Sequence, residues 1–378
     1  MKNNFKIVFA CLLFVFFASF GFAFDFGVSL DSSFLVYDTE TVPTEKSTMG
    51  LSEEVVLWAR QKISENISFY TKGNYQVSCD FEEVSQKLDL SDFLFQMVFA
   101  KSEETKVSFD LGRFPIYDAG KMIFNNSIDG GKISLKISQM DLDLFCGYTG
   151  LLNGKSINIF KSTIATDEEK LYSLASGFVV AGFSTTAKNF FKDNSITFDI
   201  STFVPTSSDE QRKTALYSEI GLNGALSSVV LHDLYAGVSL LFDEESKVGV
   251  FFDGNLSWYL DFLSSCIATK ITFATDTFFP FVDKVCVLGV NDSLNGVFKW
   301  GLNGSIKPVS TLLLSLGGDF VMDVEGSSFK KDCIQWNSSL VWQILSDVQF
   351  NLYVAQKIPL VDVVNPLFLG SASLIVNF

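Results

Sequence analysis

The sequence predicts an all-β protein, a transmembrane antiparallel up-and-down β-barrel of roughly 16 strands, within a range of about 14 to 18. Three observations predict this fold class. Apolar and polar residues alternate along most of the chain, turn residues separate the alternating segments, and hydrophobic residues make up 48% of the sequence without forming long blocks. Alternation sends successive side chains to opposite faces of a strand. In lipid, the apolar face of such a strand lies on the outside of the barrel.

The N-terminal segment has the organisation of a signal peptide. Lys2 and Lys6 give it a positively charged start, and the residues from Ile7 to Phe20 are almost all apolar. This apolar stretch is shorter than the roughly 20 residues that a helix needs to span a bilayer, and small residues follow it, as they do before a cleavage site. We therefore expect residues 1–23 to be a cleaved signal peptide, with an uncleaved anchor as the alternative, and residues 24–378 to be a single barrel.

Alternating segments follow one another from the end of this leader to the end of the chain. Several are about 10 residues long or more, which suits a tilted membrane crossing better than the usual soluble strand of about five or six residues. No separate soluble domain interrupts them. The clearest segments are Ile63–Val77, Ile133–Ile137, Ile196–Ile200, Leu312–Met322, Ile334–Ile344 and Val348–Val354.

Glycine pairs and polar stretches mark the connections between these segments. The predicted turns are Asn153-Gly154, Asp253-Gly254, Asn295-Gly296, Asn303-Gly304 and Glu325-Gly326-Ser327. The glycines at 224 and 304 interrupt alternating segments, so they are alternatively strand glycines that face a crowded lumen. Longer polar connections are predicted at Asp38–Gly50, Phe114–Gly131, Asn153–Lys170, Pro205–Lys213, Asp276–Lys284 and Lys357–Leu369. We expect these connections outside the membrane, or one of them folded inward to narrow a pore.

The charge of the chain limits its partners. Lys and Arg number 28 against 43 Asp and Glu, which gives a formal net charge of −15. This balance disfavours binding to phosphate backbones, so nucleic acid is not an expected partner. Two interpretations of the acidic residues stay open. They line a pore and favour cations modestly, or they lie on solvated loops.

Few residues of the chain suit catalysis or metal binding. His232 is the one histidine, and neighbouring Asp233 cannot form a dyad with it by adjacency because successive side chains on a strand face opposite sides. The cysteines form no C-x-x-C pair. Acidic clusters such as Asp167-Glu168-Glu169 lack the ligand spacing of a calcium loop. We expect no enzyme, no metal site and no cofactor.

The last strand carries a more specific pattern. Its apolar face consists of Ala372, Leu374, Val376 and Phe378, and it ends on an aromatic residue. This pattern resembles the terminal assembly signal of bacterial outer-membrane β-barrels. The resemblance implies that the barrel-assembly machinery reads this strand, that the strand pairs with the first one to close the barrel, and that the protein lies in the lipid of the cell outer membrane.

A second resemblance lies near the end of the first third of the chain. The segments Leu111–Asp118, Ile123–Asn125 and Ile128–Gly130 resemble part of porin-like outer-membrane proteins of spirochaetes, and more loosely a strand end of other porins. Within this stretch, Arg113 is the candidate charged residue of a pore constriction, with Asp110 and Asp118 as opposing acids. The alternative is that Arg113 pairs with a carboxylate at a strand end.

These observations predict a porin-like channel for passive diffusion of small hydrophilic solutes or ions. Two alternatives remain, a surface-exposed adhesin or structural barrel and, more distantly, an outer-membrane hydrolase. Trimers are common among porins of about 16 strands. A homotrimer is therefore one expectation, although no segment is identified as its interface.

Overall fold

The computed structural model describes most of the chain after residue 23. The prediction that residues 1–23 form a signal peptide lies outside the described residues and stays a prediction. The described ranges are 24–37, 48–79, 84–102, 104–157, 159, 170–207, 213–243, 246–282, 284–285, 291–292, 294–360 and 366–378.

Within these ranges, eighteen long strands form one closed antiparallel sheet, and two strands of two residues each, β14 and β15, pair with each other in a connection. The strands are β1 (Phe24–Tyr37), β2 (Thr48–Ser64), β3 (Ile67–Cys79), β4 (Val84–Lys101), β5 (Thr105–Tyr117), β6 (Asn125–Ile137), β7 (Met140–Tyr148), β8 (Phe178–Phe191), β9 (Asn194–Pro205), β10 (Thr214–Ser227), β11 (Val230–Phe242), β12 (Lys247–Leu260), β13 (Ser265–Ala274), β14 (Lys284–Val285), β15 (Asn291–Asp292), β16 (Val297–Val309), β17 (Leu312–Glu325), β18 (Ser328–Gln343), β19 (Val348–Pro359) and β20 (Leu367–Asn377). The predicted all-β up-and-down barrel is confirmed, and its strand number lies within the predicted range.

The last strand closes the barrel against the first. β20 pairs antiparallel with β1 from Ser29 opposite Asn377 to Tyr37 opposite Leu369. The N–H of Phe378 donates to the carbonyl of Val28 at 2.8 Å, and the N–H of Val28 donates back at 3.2 Å. Closure pairs the strand edges that lipid cannot hydrate. The predicted pairing of the two end strands is therefore confirmed, whereas reading of the strand by an assembly machinery stays a prediction.

Apolar side chains cover the outside of the barrel, and polar side chains face its lumen. Leu302 on β16 is 54% exposed, while the next residue, Asn303, faces the opposite side. The same alternation exposes Phe26 on β1 and Leu57 on β2. This arrangement is typical of a barrel that contacts lipid. Within the described ranges, no helix is long and apolar enough to cross a membrane.

The two ends of the barrel differ in their connections. One end carries short turns, such as residues 138–139 between β6 and β7 and residues 310–311 between β16 and β17. The other end carries the longer connections at residues 149–177, 206–213 and 275–296, and we call it the long-loop end. β1 begins and β20 ends at the short-turn end. Alternating short turns and longer loops are the organisation expected of a membrane barrel.

Several predicted connections differ from the structure. Asp253-Gly254 lies inside β12 and Asn303-Gly304 inside β16, so these two turn predictions are wrong. Gly224 and Gly304 are strand glycines, as in the alternative, but they share the outward faces of Leu222 and Leu302 and do not face the lumen. The predicted segment Ile63–Val77 contains a two-residue turn between β2 and β3. Because a two-residue turn preserves the period of two, alternation passes through it without a visible break.

The connection predicted over Phe114–Gly131 is shorter than expected. β5 continues to Tyr117 and β6 begins at Asn125, so only residues 118–124 connect them. The two strands stay paired over this upper part, from Phe114 opposite Ile128 to Tyr117 opposite Asn125. This stretch contains polar residues and a proline, which predicted a loop. In the structure, the ladder between β5 and β6 continues beyond the point where this hairpin separates from the neighbouring strand β4.

Candidate pore constriction

The β5–β6 hairpin separates from β4 near the long-loop end. The pairing of β4 with β5 ends at Phe93 opposite Arg113, although β4 extends on to Val84. At the point of separation, Gly112 has a φ of 118°, and a Cβ there would collide with the carbonyl of Phe93. Gly112 pairs with Gly130 of β6, where a Cβ would collide with the carbonyl of Cys146. Two facing glycines therefore permit the bend that takes the hairpin off the wall.

The tip of this hairpin, residues 118–124, lies against the walls formed by β9 and β10. The N–H of Ala119 donates to Asp199 Oδ2 at 2.7 Å, and the N–H of Gly120 donates to Glu219 Oε1 at 2.7 Å. Asp199 faces Glu219 across the β9–β10 ladder. Both side chains are buried, at 8% and 2% exposure. Two carboxylates of the barrel wall thus hold the backbone of the tip.

Asp118 fixes the internal shape of the tip. Its Oδ2 accepts the N–H of Met122 at 2.8 Å, and its Oδ1 accepts the N–H groups of Ile123 at 3.1 Å and Phe124 at 2.6 Å. A carboxylate that accepts three backbone N–H groups satisfies donors that a tight turn leaves without backbone partners. Asp118 is therefore part of the tip and organises it from within.

Two other connections pack against the tip inside the barrel. The carbonyl of Ile123 accepts the N–H groups of Phe281 at 3.1 Å and Val282 at 3.2 Å, both in the β13–β16 connection. Ile159, in the β7–β8 connection, forms an antiparallel bridge with Val282. Three connections from different parts of the chain therefore meet at one place.

An aromatic cluster fills the space between these connections and the wall. Phe281 stacks on Phe203 of β9 with ring centroids 3.9 Å apart, and it meets Phe178 of β8 edge to face at 4.9 Å. Phe124 of the tip lies 5.6 Å from both Phe203 and Phe281. The Tyr217 hydroxyl of β10 donates to the carbonyl of Phe279 at 2.8 Å. Such burial makes the inward connections a packed unit rather than loose loops.

Arg113 lies where the hairpin leaves the wall, and all its donors are used. Nε and Nη2 bind the two carboxylate oxygens of Asp129 at 2.9 and 2.7 Å. Nη1 donates to the carbonyl of Leu90 at 2.7 Å and to the Tyr172 hydroxyl at 3.2 Å, and Nη2 donates also to the carbonyl of Leu151 at 2.7 Å. The side chain is only 5% exposed. Arg113 thus joins the hairpin, β4 and the β7–β8 connection.

The three residues predicted for the constriction lie in separate networks. The acid that Arg113 contacts is Asp129, as in the alternative of an ion pair at a strand end. Asp110 lies on the wall below the bend, where it contacts Lys132 Nζ at 3.3 Å and accepts from Gln96 at 2.8 Å. Asp118 holds the tip. A role of these residues in conductance stays a prediction.

The β7–β8 connection fills the wall where the hairpin has left it. The N–H of Leu88 on β4 donates to the carbonyl of Leu171 at 2.9 Å, and the Asn153 side chain donates to the carbonyl of Leu88 at 2.9 Å. Asn153 Oδ1 in turn accepts the N–H groups of Lys155 and Ser173. The connection therefore satisfies both backbone groups of Leu88, in the part of β4 that β5 leaves without a ladder.

A second feature of the lumen lies on β1 to β4. A cavity of about 600 Å³ is lined by Asp25, Trp58, Arg60, Tyr70 and Lys72, among others. The register aligns Asp25 with Arg60, and Arg60 with Tyr70, on one face of three neighbouring strands. The wall here carries both signs of charge next to two aromatic rings. Trp58 therefore lines the interior.

His232 forms no catalytic arrangement among the described residues. Its side chain is 5% exposed, and its Nδ1 has no hydrogen-bond partner there. The Asp233 carboxylate accepts from Asn255 at 3.4 Å instead. In the part of the chain that the structure describes, no group of three or more His, Cys, Asp or Glu residues is arranged to hold a metal ion.

Sequence reasoning did not identify Asp199 and Glu219 as parts of the site. Asp199 belongs to the polar face of an alternating segment, and a polar residue on that face is expected at every second position. Their distance from the hairpin along the chain gives no local signal. Only the fold brings them within hydrogen-bond distance of residues 119 and 120.

Comparison with known proteins supports the fold. No family model and no curated protein sequence matches the chain. Among solved structures, OccK2 (OpdF) of Pseudomonas aeruginosa in complex with glucuronate has a TM-score of 0.65 at 10% identity, covering 95% of this chain and 99% of that one. The outer membrane protein OpdK of the same organism has a TM-score of 0.64 at 8% identity, covering 95% and 100%. OccAB4 of Acinetobacter baumannii has 0.60 at 8%, covering 95% and 99%. At these identities the likeness shows the fold, a closed antiparallel barrel of the same architecture.

Proposed function

We propose that this chain is a porin-like channel of the outer membrane, through which small hydrophilic solutes or ions diffuse passively. The observation that carries the proposal is a polar lumen inside an apolar barrel, narrowed by an anchored hairpin. A lumen of this kind gives solutes a hydrated path, while the barrel exterior contacts lipid.

The same features support the proposed location in the outer membrane. A closed barrel satisfies its backbone groups internally, as lipid requires. One structural neighbour is described as an outer membrane protein. In bacterial barrels the short turns face the periplasm and the longer loops face outward. By that rule, the hairpin tip lies towards the outer side of the channel.

The charges of the lumen favour a path that accepts both signs. Lys132 lies 3.3 Å from Asp110, and Lys270 lies 3.2 Å from Asp253 on the opposite part of the wall. The cavity on β1 to β4 adds Arg60 and Lys72 beside Asp25. Because these charges of opposite sign lie close together, their fields partly cancel at a distance. We therefore propose small polar solutes of either charge, and glucuronate, which one neighbour binds, is a suitable test solute.

The arrangement of the connections favours a channel over an adhesin. An adhesin presents its loops to a partner outside the membrane. Here the described parts of the β5–β6, β7–β8 and β13–β16 connections pack together inside the barrel. The buried apolar residues of these connections, such as Phe124 and Phe281, are consequently not available to an external partner.

Reconstitution into planar bilayers tests the proposal. The purified protein is first shown to be folded by its different migration in detergent gels before and after boiling. We expect stepwise increases of ionic current as single barrels insert. A folded barrel that never conducts would contradict the channel and favour the adhesin or structural barrel.

A further inference from the structure

We propose that Asp199 and Glu219 are positioning residues of the channel, a latch that holds the hairpin tip in place and so sets the width and steadiness of the pore. The claim about the pore rests on the proposed function, whereas the docking of the tip can be measured whether or not the barrel conducts.

The latch consists of two backbone donors and two wall carboxylates. Ala119 and Gly120 are consecutive residues, and their N–H groups reach acids on neighbouring strands at 2.7 Å each. Burial makes such hydrogen bonds stronger, since water does not compete for the acceptor. Two such bonds to rigid strands fix the position of the tip against the wall.

Burial of the two acids is itself costly. Asp199 and Glu219 are 8% and 2% exposed and lie opposite each other on neighbouring strands. Taking an acidic side chain out of water costs free energy. The arrangement is therefore retained at a cost to stability, which favours a role in holding the tip over a role in strengthening the barrel.

Release of the tip changes the lumen because the tip lies inside it. Ala119 and Gly120 belong to the stretch that Asp118 organises, so the tip is expected to move as one unit. Phe281 and Val282 bind Ile123 from another connection. Without the latch, Phe124 and Phe281 still pack against Phe203 of β9, but residues 119 and 120 lose the two hydrogen bonds that fix them against β9 and β10.

Hydrogen–deuterium exchange on the folded barrel in detergent tests the latch. In the variant Asp199→Ala with Glu219→Ala, we expect the amides of residues 118–124 to exchange about tenfold faster or more, because the two buried hydrogen bonds that dock the tip are lost. Glu219→Gln keeps an acceptor oxygen for Gly120, so its exchange should lie between wild type and the double variant. Ser201→Ala, on the same face of β9 as Asp199, is the matched control and should leave exchange unchanged.

Unchanged exchange of residues 118–124 in the double variant would overturn the latch, and so would an equal increase in Ser201→Ala. If the double variant does not fold, Asp199→Ala and Glu219→Ala are measured singly, each with a smaller expected increase. Single-channel recording supplies the functional readout, and we expect larger current fluctuations in the double variant. Faster exchange with a current as steady as that of wild type would overturn the control of the pore by the latch. Faster exchange in a protein whose wild type never conducts would contradict the proposed function and leave the docking itself supported.

Discussion

At the scale of single residues, Arg113 shows how one side chain organises several segments. Its guanidinium binds Asp129 through two oxygens and also reaches β4 and the β7–β8 connection. The planar group suits this task because its donors point in fixed directions. The sequence identified Arg113 as a residue of interest from its type and its neighbours. It could not identify Asp129 as the partner, because the partner depends on the register between β5 and β6.

Replacement of Arg113 tests this role. Arg113→Ala leaves Asp129 without its partner, and we expect a loss of about 3 kcal/mol in the free energy of unfolding, since breaking a buried ion pair strands the other charge. The double variant Arg113→Ala with Asp129→Ala should lose less than the sum of the two single variants. Denaturant unfolding of the detergent-solubilised barrel measures both effects. Additive losses would show that the two side chains do not interact.

At the scale of elements, alternation predicts the strands well and the connections less well. A period of two is imposed by lipid on one side and water on the other, so it survives along most strands. Turn signals are less specific, as Asp253 shows. It precedes a glycine, yet it lies on the lumen face of β12, where Lys270 contacts it at 3.2 Å. The sequence also did not predict the bend at Gly112, because a glycine in a strand can mark a bulge, a bend or the close approach of another backbone.

A matched pair of substitutions on one strand tests which of its side chains face the lipid and which face the lumen. Leu302 faces outward and Asn303 inward on β16. We expect Leu302→Arg to cost about 2 to 4 kcal/mol in a bilayer, because a charge on the lipid face is desolvated. Asn303→Arg should cost much less, since the lumen is hydrated. Unfolding in lipid vesicles measures the two variants side by side, and equal losses would contradict the assigned orientation of β16.

At the scale of the whole molecule, the barrel contains an inward-folded hairpin that narrows its lumen. The barrel is built from local hairpins that the sequence predicts, and its closure joins β1 with β20. The restriction instead depends on contacts between distant parts of the chain, such as the bond from Gly120 to Glu219. Contacts of this kind leave no periodic pattern, which explains why the fold could be predicted from the sequence and the docking of the hairpin could not.

The most direct test of this account is the single-channel conductance of a variant that lacks residues 119–123, compared with wild type in the same bilayer. Both proteins must first show the same change of migration on boiling, so that only folded barrels are compared. If the inward hairpin restricts the lumen, the shortened variant conducts more current at the same voltage and salt concentration. Equal conductance of the two folded barrels would contradict the restriction of the pore by the hairpin.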